Sequence, residues 1–232
     1  MLYIIKKRLL KRKLEHKLQD LKTMKNLLIF LLLVFISTNS RSQVVIDSLN
    51  GIIYLKNVHE IDLTKTELKT KANEWVAKAY NNSNFVTRIN SDDNILTKGS
   101  FKVGADFTAY GATIYSDLKI DYTLDLKFKN GRYKIEIIDL QNSEGNNTLD
   151  LSIYFMSPEE YKEKSIKYLE NYDGIGKNAA LKRINNKKKF MKDYNSTHDY
   201  GKKIIPQIVN KLKSMDASLF AYMKSKADND NW

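Results

Sequence analysis

Thr113-Ile114-Tyr115-Ser116-Asp117-Leu118-Lys119-Ile120-Asp121-Tyr122-Thr123-Leu124-Asp125-Leu126-Lys127-Phe128-Lys129, followed by Asn130-Gly131 and then Arg132-Tyr133-Lys134-Ile135-Glu136-Ile137-Ile138-Asp139-Leu140, is the stretch that decides the fold. Ile114, Leu118, Ile120, Tyr122, Leu124, Leu126 and Phe128 fall on one face, while Asp117, Lys119, Asp121, Thr123, Asp125 and Lys127 fall on the other. That period of two is the signature of a strand with one buried and one wet face. Asn130-Gly131 supplies residues that tolerate positive φ in a two-residue hairpin loop. Such a loop sets the register: Lys129 faces Arg132, Phe128 faces Tyr133, Leu126 faces Ile135 and Leu124 faces Ile137. A slip of one residue would turn the whole apolar set to water, so the register is strongly specified. On the wet face Lys127 meets Lys134 and Asp125 meets Glu136, and the diagonals Lys127 to Glu136 and Asp125 to Lys134 are opposite in sign.

Outward from the hairpin, a first strand is expected over 51–56. Thr64 and Glu67 stand in capping-box spacing ahead of Leu68, Ala72, Trp75, Val76 and Ala79, which form one helical stripe ended by Asn81-Asn82. A strand over 95–103 places Ile95, Phe101 and Val103 on one face. Beyond it the chain turns helical. Ser157-Pro158-Glu159-Glu160 combines a cap, a first-turn proline and a capping-box glutamate, and that helix should stop before Gly174. A second helix is expected over 178–192 and a third over 202–226, with Pro206 in its first turn. The third carries Ile205, Ile208, Leu212, Met215, Leu219 and Tyr222 at alternating spacings of three and four. That seam can pack on the protein's own body or join two copies in a homodimer.

The 232 residues hold 39 basic and 27 acidic side chains, a net charge of +12. The surplus is local. Residues 1–23 carry eight basic and two acidic residues, and Lys25 and Arg41 add two more basic ones. Setting those aside leaves 29 against 25, about +4, which is an ordinary solvated surface and argues against a nucleic-acid partner. Lys25-Asn26, the ten apolar residues from Leu27 to Ile36, and the polar run ending Ser40-Arg41-Ser42 read as a secretory signal over 24–42, cleaved between Ser42 and Gln43. A spanning helix needs about 20 apolar residues, so no stable membrane anchor is expected after cleavage. Residues 1–23 form a basic extension outside the fold, explained by an upstream choice of start codon. The expected organisation is thus 1–23 extension, 24–42 signal, 43–150 α+β domain and 151–232 helical region. The expected location is periplasmic or secreted. Cysteine is absent, which excludes disulfides and an acylated cysteine anchor.

Chemistry-bearing patterns are sparse. His16, His59 and His198 are far apart, and His59-Glu60 lacks the second histidine of a zinc helix, so neither a metal nor another cofactor is expected. Asp173-Gly174-Ile175-Gly176-Lys177-Asn178 lacks the earlier glycine and the final hydroxyl of a phosphate loop. Asp92-Asp93 and Glu159-Glu160 are adjacent in sequence, as turns and caps use them, whereas glycosidase carboxyls face each other across a cleft. There is no Gly-x-Ser-x-Gly elbow. Lys187-Lys188-Lys189 reads as a solvated helix face or an electrostatic contact with an anionic surface. The least weak candidates for a site are Tyr115, Asp117, Lys119 and Asp121 on the wet face.

Glu67-Leu68, Ala72, Trp75-Val76-Ala77, Ile95, Gly99-Ser100-Phe101, Tyr122-Thr123-Leu124, Lys129-Asn130-Gly131-Arg132-Tyr133 and Asp139 together resemble an exported Bacteroidetes domain of unknown function with a TATA-binding-protein-like fold, over about residues 50–145. The resemblance implies a curved antiparallel sheet with helix packed on one face, here followed by a helical C-terminal region. It implies no activity and no catalytic residues. A DNA-binding sheet face needs a positive surplus, and Asp117, Lys119, Asp121, Asp125 and Lys127 do not provide one. The functional expectation is a non-enzymatic envelope module binding a protein or glycan partner; the alternative is a hydrolase with a site assembled on the wet face from Tyr115 and Asp117.

Overall fold

The hairpin forms in the expected register, pairing Lys129 with Arg132, Phe128 with Tyr133, Leu126 with Ile135 and Leu124 with Ile137. The computed structural model describes residues 43–47, 51–80, 87–109, 112–144, 147–149, 151–170, 174 and 176–225. The expected extension 1–23 and the expected signal 24–42, including Ser42, lie outside the described residues, as does the expected Asn81-Asn82 stop. In chain order the elements are strands β1 (Gln43–Asp47) and β2 (Ile52–Glu60), helix α1 (Lys65–Ala79), strands β3 (Thr87–Asn90), β4 (Asn94–Ala109), β5 (Ala112–Lys129), β6 (Arg132–Glu144) and β7 (Asn147–Leu149), a 3-10 turn (Leu151–Tyr154), and helices α2 (Pro158–Glu170), α3 (Lys177–Asn185) and α4 (Lys187–Lys224). All strand pairings are antiparallel, in the order β1-β2-β6-β5-β4-β3 with β7 also on β6. This is the expected α+β class: an open antiparallel sheet with helix on one face and further helices after it.

The hairpin loop also starts the first helix. Gly131 takes φ 78° and Asn130 stays at negative φ, so only one of the two turn residues uses the left-handed region. Asn130 is instead occupied through its side chain: its Oδ1 accepts the Lys65 N–H at 2.8 Å. The Gly131 N–H donates to the Leu63 carbonyl, and the Ile61 N–H donates to the Gly131 carbonyl, both at 2.9 Å. Thr64 and Glu67 close the expected capping box. Three free N–H groups at the helix start thereby find partners.

One core lies between the sheet and two helices. Leu68, Ala72, Trp75 and Val76 of α1 and Ile204, Ile208, Leu212 and Leu219 of α4 are buried with Leu55, Leu124, Leu126, Ile135 and Ile137 of the sheet. Ala79, expected on the stripe of α1, is exposed at its last turn. The seam of the terminal helix therefore packs on the protein's own sheet, on a face centred one residue from the expected one: Ile204 is fully buried and Ile205 only partly.

Four expectations are corrected. Ile114 is 56% exposed, because β6 pairs with β5 only as far as Ile120 and leaves Ile114 without a neighbour on that side. Thr123 and Asp125, expected wet, are 6% and 8% exposed, because they sit mid-sheet between flanking strands. The first strand runs to Glu60, four residues past its expected end, and β1 pairs along it. The second and third helices divide at Asn186, whose side chain accepts the Lys189 N–H at 3.1 Å and caps α4, so α4 runs from Lys187 and Pro206 lies in its interior.

That long helix also closes a sheet edge. β3 pairs with β4 only over Asn94-proximal residues, up to Thr97. Further along β4, Gln207 bonds both the N–H and the carbonyl of Gly104, Lys203 donates to the Asp106 carbonyl at 2.9 Å, and Ser196 donates to the Thr108 carbonyl. Alternate outward-pointing backbone groups of an edge strand are thus taken by side chains, which blocks strand addition there.

Candidate functional site

Strand alternation alone puts Tyr115, Asp117, Lys119 and Asp121 on one face of β5, and the structure keeps them there. Across on β4 their partners are Asp106, Gly104, Lys102 and Ser100. Lys102 and Lys119 are directly opposite, and each is offset by a carboxylate: Lys102 lies 3.9 Å from Asp117, and Lys119 lies 3.5 Å from Asp121. Gly104 matters here. A Cβ added to it would come 2.6 Å from the Tyr115 Oη and 2.8 Å from Asp117 Oδ1, so only glycine lets the Tyr115 side chain lie across β4. Tyr115 is nonetheless 67% exposed.

Lys119 and Asp121 enter a basin of about 740 Å³ with Lys98 and Ser100 of β4 and Asp139 and Gln141 of β6. β6 is bulged at this basin. Register shifts between Asp121 and Thr123, so that two residues, Asp139 and Leu140, stand opposite Tyr122. Asp139 takes φ 56°, the only positive φ of a non-glycine residue among the described residues. Bulges of this kind bend a strand and re-aim its side chains, and aspartate is one of the few side chains that accepts this conformation. The wall of this basin does not include Tyr115 or Asp117, which stand further along on the open face.

Toward the hairpin loop the same face is an ion network. Lys127 meets Asp125 at 2.9 Å and Glu136 at 4.0 Å, Lys56 meets Glu136 at 3.4 Å, and Lys134 also meets Glu136. The expected diagonal from Lys127 to Glu136 is thus present. Burial pushes the Glu136 carboxyl up, but Lys134 and Lys56 outweigh it and hold it below its ordinary value; Asp125 raises Lys127.

A second cluster was not legible in the sequence. His59 Nε2 lies 2.7 Å from Asp216 Oδ1, with side chains only 4% and 2% exposed, and Asn57 Nδ2 donates to the other Asp216 oxygen at 3.0 Å. The imidazole is stacked between Tyr133 and Phe220, with centroids at 5.0 and 4.5 Å. Burial, then the Asp216 charge, push the Tyr133 hydroxyl up. The signal for this cluster is a polar residue at a core position: His59 continues the inward alternation of Leu55 and Asn57, and Asp216 stands between Leu212 and Leu219 on the apolar stripe of α4. The cluster ties β2 to α4 through packed surroundings and so reads as a structural lock. His198 is elsewhere, its Nδ1 3.1 Å from the Tyr154 carbonyl. Asp173 and Ile175 of the glycine-containing turn lie outside the described residues, while Gly176, at φ 113°, precedes α3.

Comparison with known proteins finds a match to the family model "Domain of unknown function (DUF4468) with TBP-like fold", over residues 54–142. Two crystal structures are similar. One is a TBP-like protein from Parabacteroides distasonis, 19% identical, covering 77% of this chain and 96% of that one with a TM-score of 0.40. The other is a DUF4468 family protein from Bacteroides ovatus, 12% identical, covering 83% and 95% with a TM-score of 0.41. No curated protein matches.

Proposed function

We propose, for a chain whose residues 54–142 match the model of the DUF4468 domain with TBP-like fold, a non-enzymatic role as a cell-envelope module that binds a protein or glycan partner on its exposed sheet face. The observation that carries this reading is the free run of β5. Residues 113–119 extend beyond the last β6 pairing at Ile120, and they present Tyr115, Asp117 and Lys119 to solvent beside the Asp139 basin. An exposed aromatic with hydrogen-bonding neighbours suits a binding surface. A hydrolytic use of Tyr115 and Asp117 is less well supported, since Asp117 lies 3.9 Å from Lys102 on an open sheet face, whereas paired-carboxyl hydrolysis works across a cleft.

The envelope location rests on the signal-like segment 24–42 and the short apolar run within it. No helix among the described residues is long and apolar enough to cross a membrane. A photo-crosslinking amino acid placed at Tyr115 in the full chain, activated in living cells, tests both parts of the proposal. Mass spectrometry is expected to find a captured partner and a protein chain beginning at Gln43. Recovery of free monomer alone under every growth condition would sink the binding role, and an intact segment 24–42 would sink the cleavage.

A further inference from the structure

We infer that the groove between the end of β4 and the N-terminal half of α4 is a binding site for an acidic polysaccharide. The groove, of about 1070 Å³, has Met191 and the buried ring of Tyr200 in its lining. Around them stand five lysines, at 187, 188, 192, 202 and 203, against two carboxylates, Asp106 and Asp199, a surplus of three positive charges. Two of the five are occupied: Lys202 donates to Asp199 at 3.0 Å, and Lys203 donates to the Asp106 carbonyl at 2.9 Å. Lys187, Lys188 and Lys192 have no ion-pair or hydrogen-bond partner among the described residues.

This arrangement is unfavourable for the helix. Lys188 and Lys192 are a like-charged pair at i, i+4, and cations in the opening turns of a helix oppose its dipole. No acidic residue stands in the first turn to offset them. A solvated lysine face needs no concavity, whereas here the uncompensated charges converge on one. A sequence that breaks local rules without internal compensation marks a site where a ligand supplies it.

Charge spacing selects the ligand. From Lys187 to Lys203 the groove follows roughly 24 Å of helix at ~1.5 Å per residue. A nucleic-acid strand carries one phosphate per ~3.4 Å, about seven over that length, far more than a surplus of three can neutralise, and Asp106 and Asp199 would repel them. An anionic bilayer meets the same objection. A polysaccharide with an acidic group only every second or third sugar fits: its carboxylates or sulfates meet the free lysines, and its hydroxyls meet Asp106, Asp199 and Asn195.

The test is calorimetric titration of the full chain with a hyaluronan hexasaccharide, which carries a carboxylate on every second sugar, at low salt. A groove variant, Lys188→Glu with Lys192→Glu, is compared with a control of equal charge change on the same helix, Lys211→Glu with Lys213→Glu. Affinity is expected to fall at least tenfold in the groove variant, less than twofold in the control, and steeply with added salt in the native chain. Should the Glu pair alter the circular dichroism spectrum, Lys188→Gln with Lys192→Gln carries the same comparison, with a loss of threefold or more expected. Equal losses in both variants, no binding of the hexasaccharide, or tighter groove-dependent binding of oligothymidylate or phosphatidylglycerol vesicles would each overturn the inference.

Discussion

Asp216 is the residue whose environment differs most from what its type suggests. A carboxylate at 2% exposure is expensive to desolvate, and it is kept by the His59 imidazole and the Asn57 amide. Removing Asp216 takes the carboxylate from an imidazole that is itself buried. Asp216→Ala is therefore expected to cost about 2 kcal/mol, read as a lower midpoint in urea unfolding with an unchanged slope. A loss below about 1 kcal/mol would mean that water reaches the pair and that it does not lock α4 to β2. Tyr115 shows the opposite logic: a large side chain left exposed, over a glycine that makes room for it. Its place on the wet face was legible from alternation, but the cross-strand glycine beneath it follows only from register.

At the scale of elements, caps were readable and lengths were not. Thr64 with Glu67 and Ser157 with Glu160 each form the box that their spacing announces. Both glutamates lie below the ordinary carboxyl value of 4.5, Glu67 chiefly through the Thr64 hydroxyl and then its backbone N–H, Glu160 chiefly through the Ser157 N–H and then its hydroxyl. A carboxyl whose folded value is depressed contributes stability that is present above its unfolded value and lost as pH falls through the folded one. The amide resonances of Thr64 and Ser157 should accordingly titrate with midpoints below 4.5, and should not move between pH 6 and 8; midpoints at or above 4.5 would contradict the boxes. The length of α4 went unread because Gly201 and Pro206 look like punctuation. Gly201 is instead a contact: a Cβ there would come 2.7 Å from that of Tyr154, so the residue serves close packing of α4 on the 3-10 turn.

Over the whole molecule, the family match at 54–142 covers β2 to β6 but leaves out the helix that covers much of their core face. Ile204, Ile208, Leu212 and Leu219 of α4 are fully buried there, and its Gln207, Lys203 and Ser196 close the β4 edge. A chain ending at Asn186 keeps every matched residue, yet exposes an apolar sheet face and an open edge, two recognised routes to aggregation. Such a truncation is expected to sediment as aggregate and to show no cooperative thermal transition by circular dichroism. A soluble, cooperatively melting product would show that 54–142 stands without its helical tail.

Alternation, the Asn130-Gly131 loop and the capping boxes are local, so the hairpin register, the start of α1 and the α+β class could be read from residues a few positions apart. The His59–Asp216 pair, the groove beside Lys192, the Asp139 bulge and the edge closure by α4 each join segments that are distant in the chain or in register. Nothing in a local pattern says that residue 216 meets residue 59, since that contact depends on which face of a long helix turns toward the sheet, and packing of the whole apolar stripe decides it. Local physics set the elements; the burial of α4 set what they bring together.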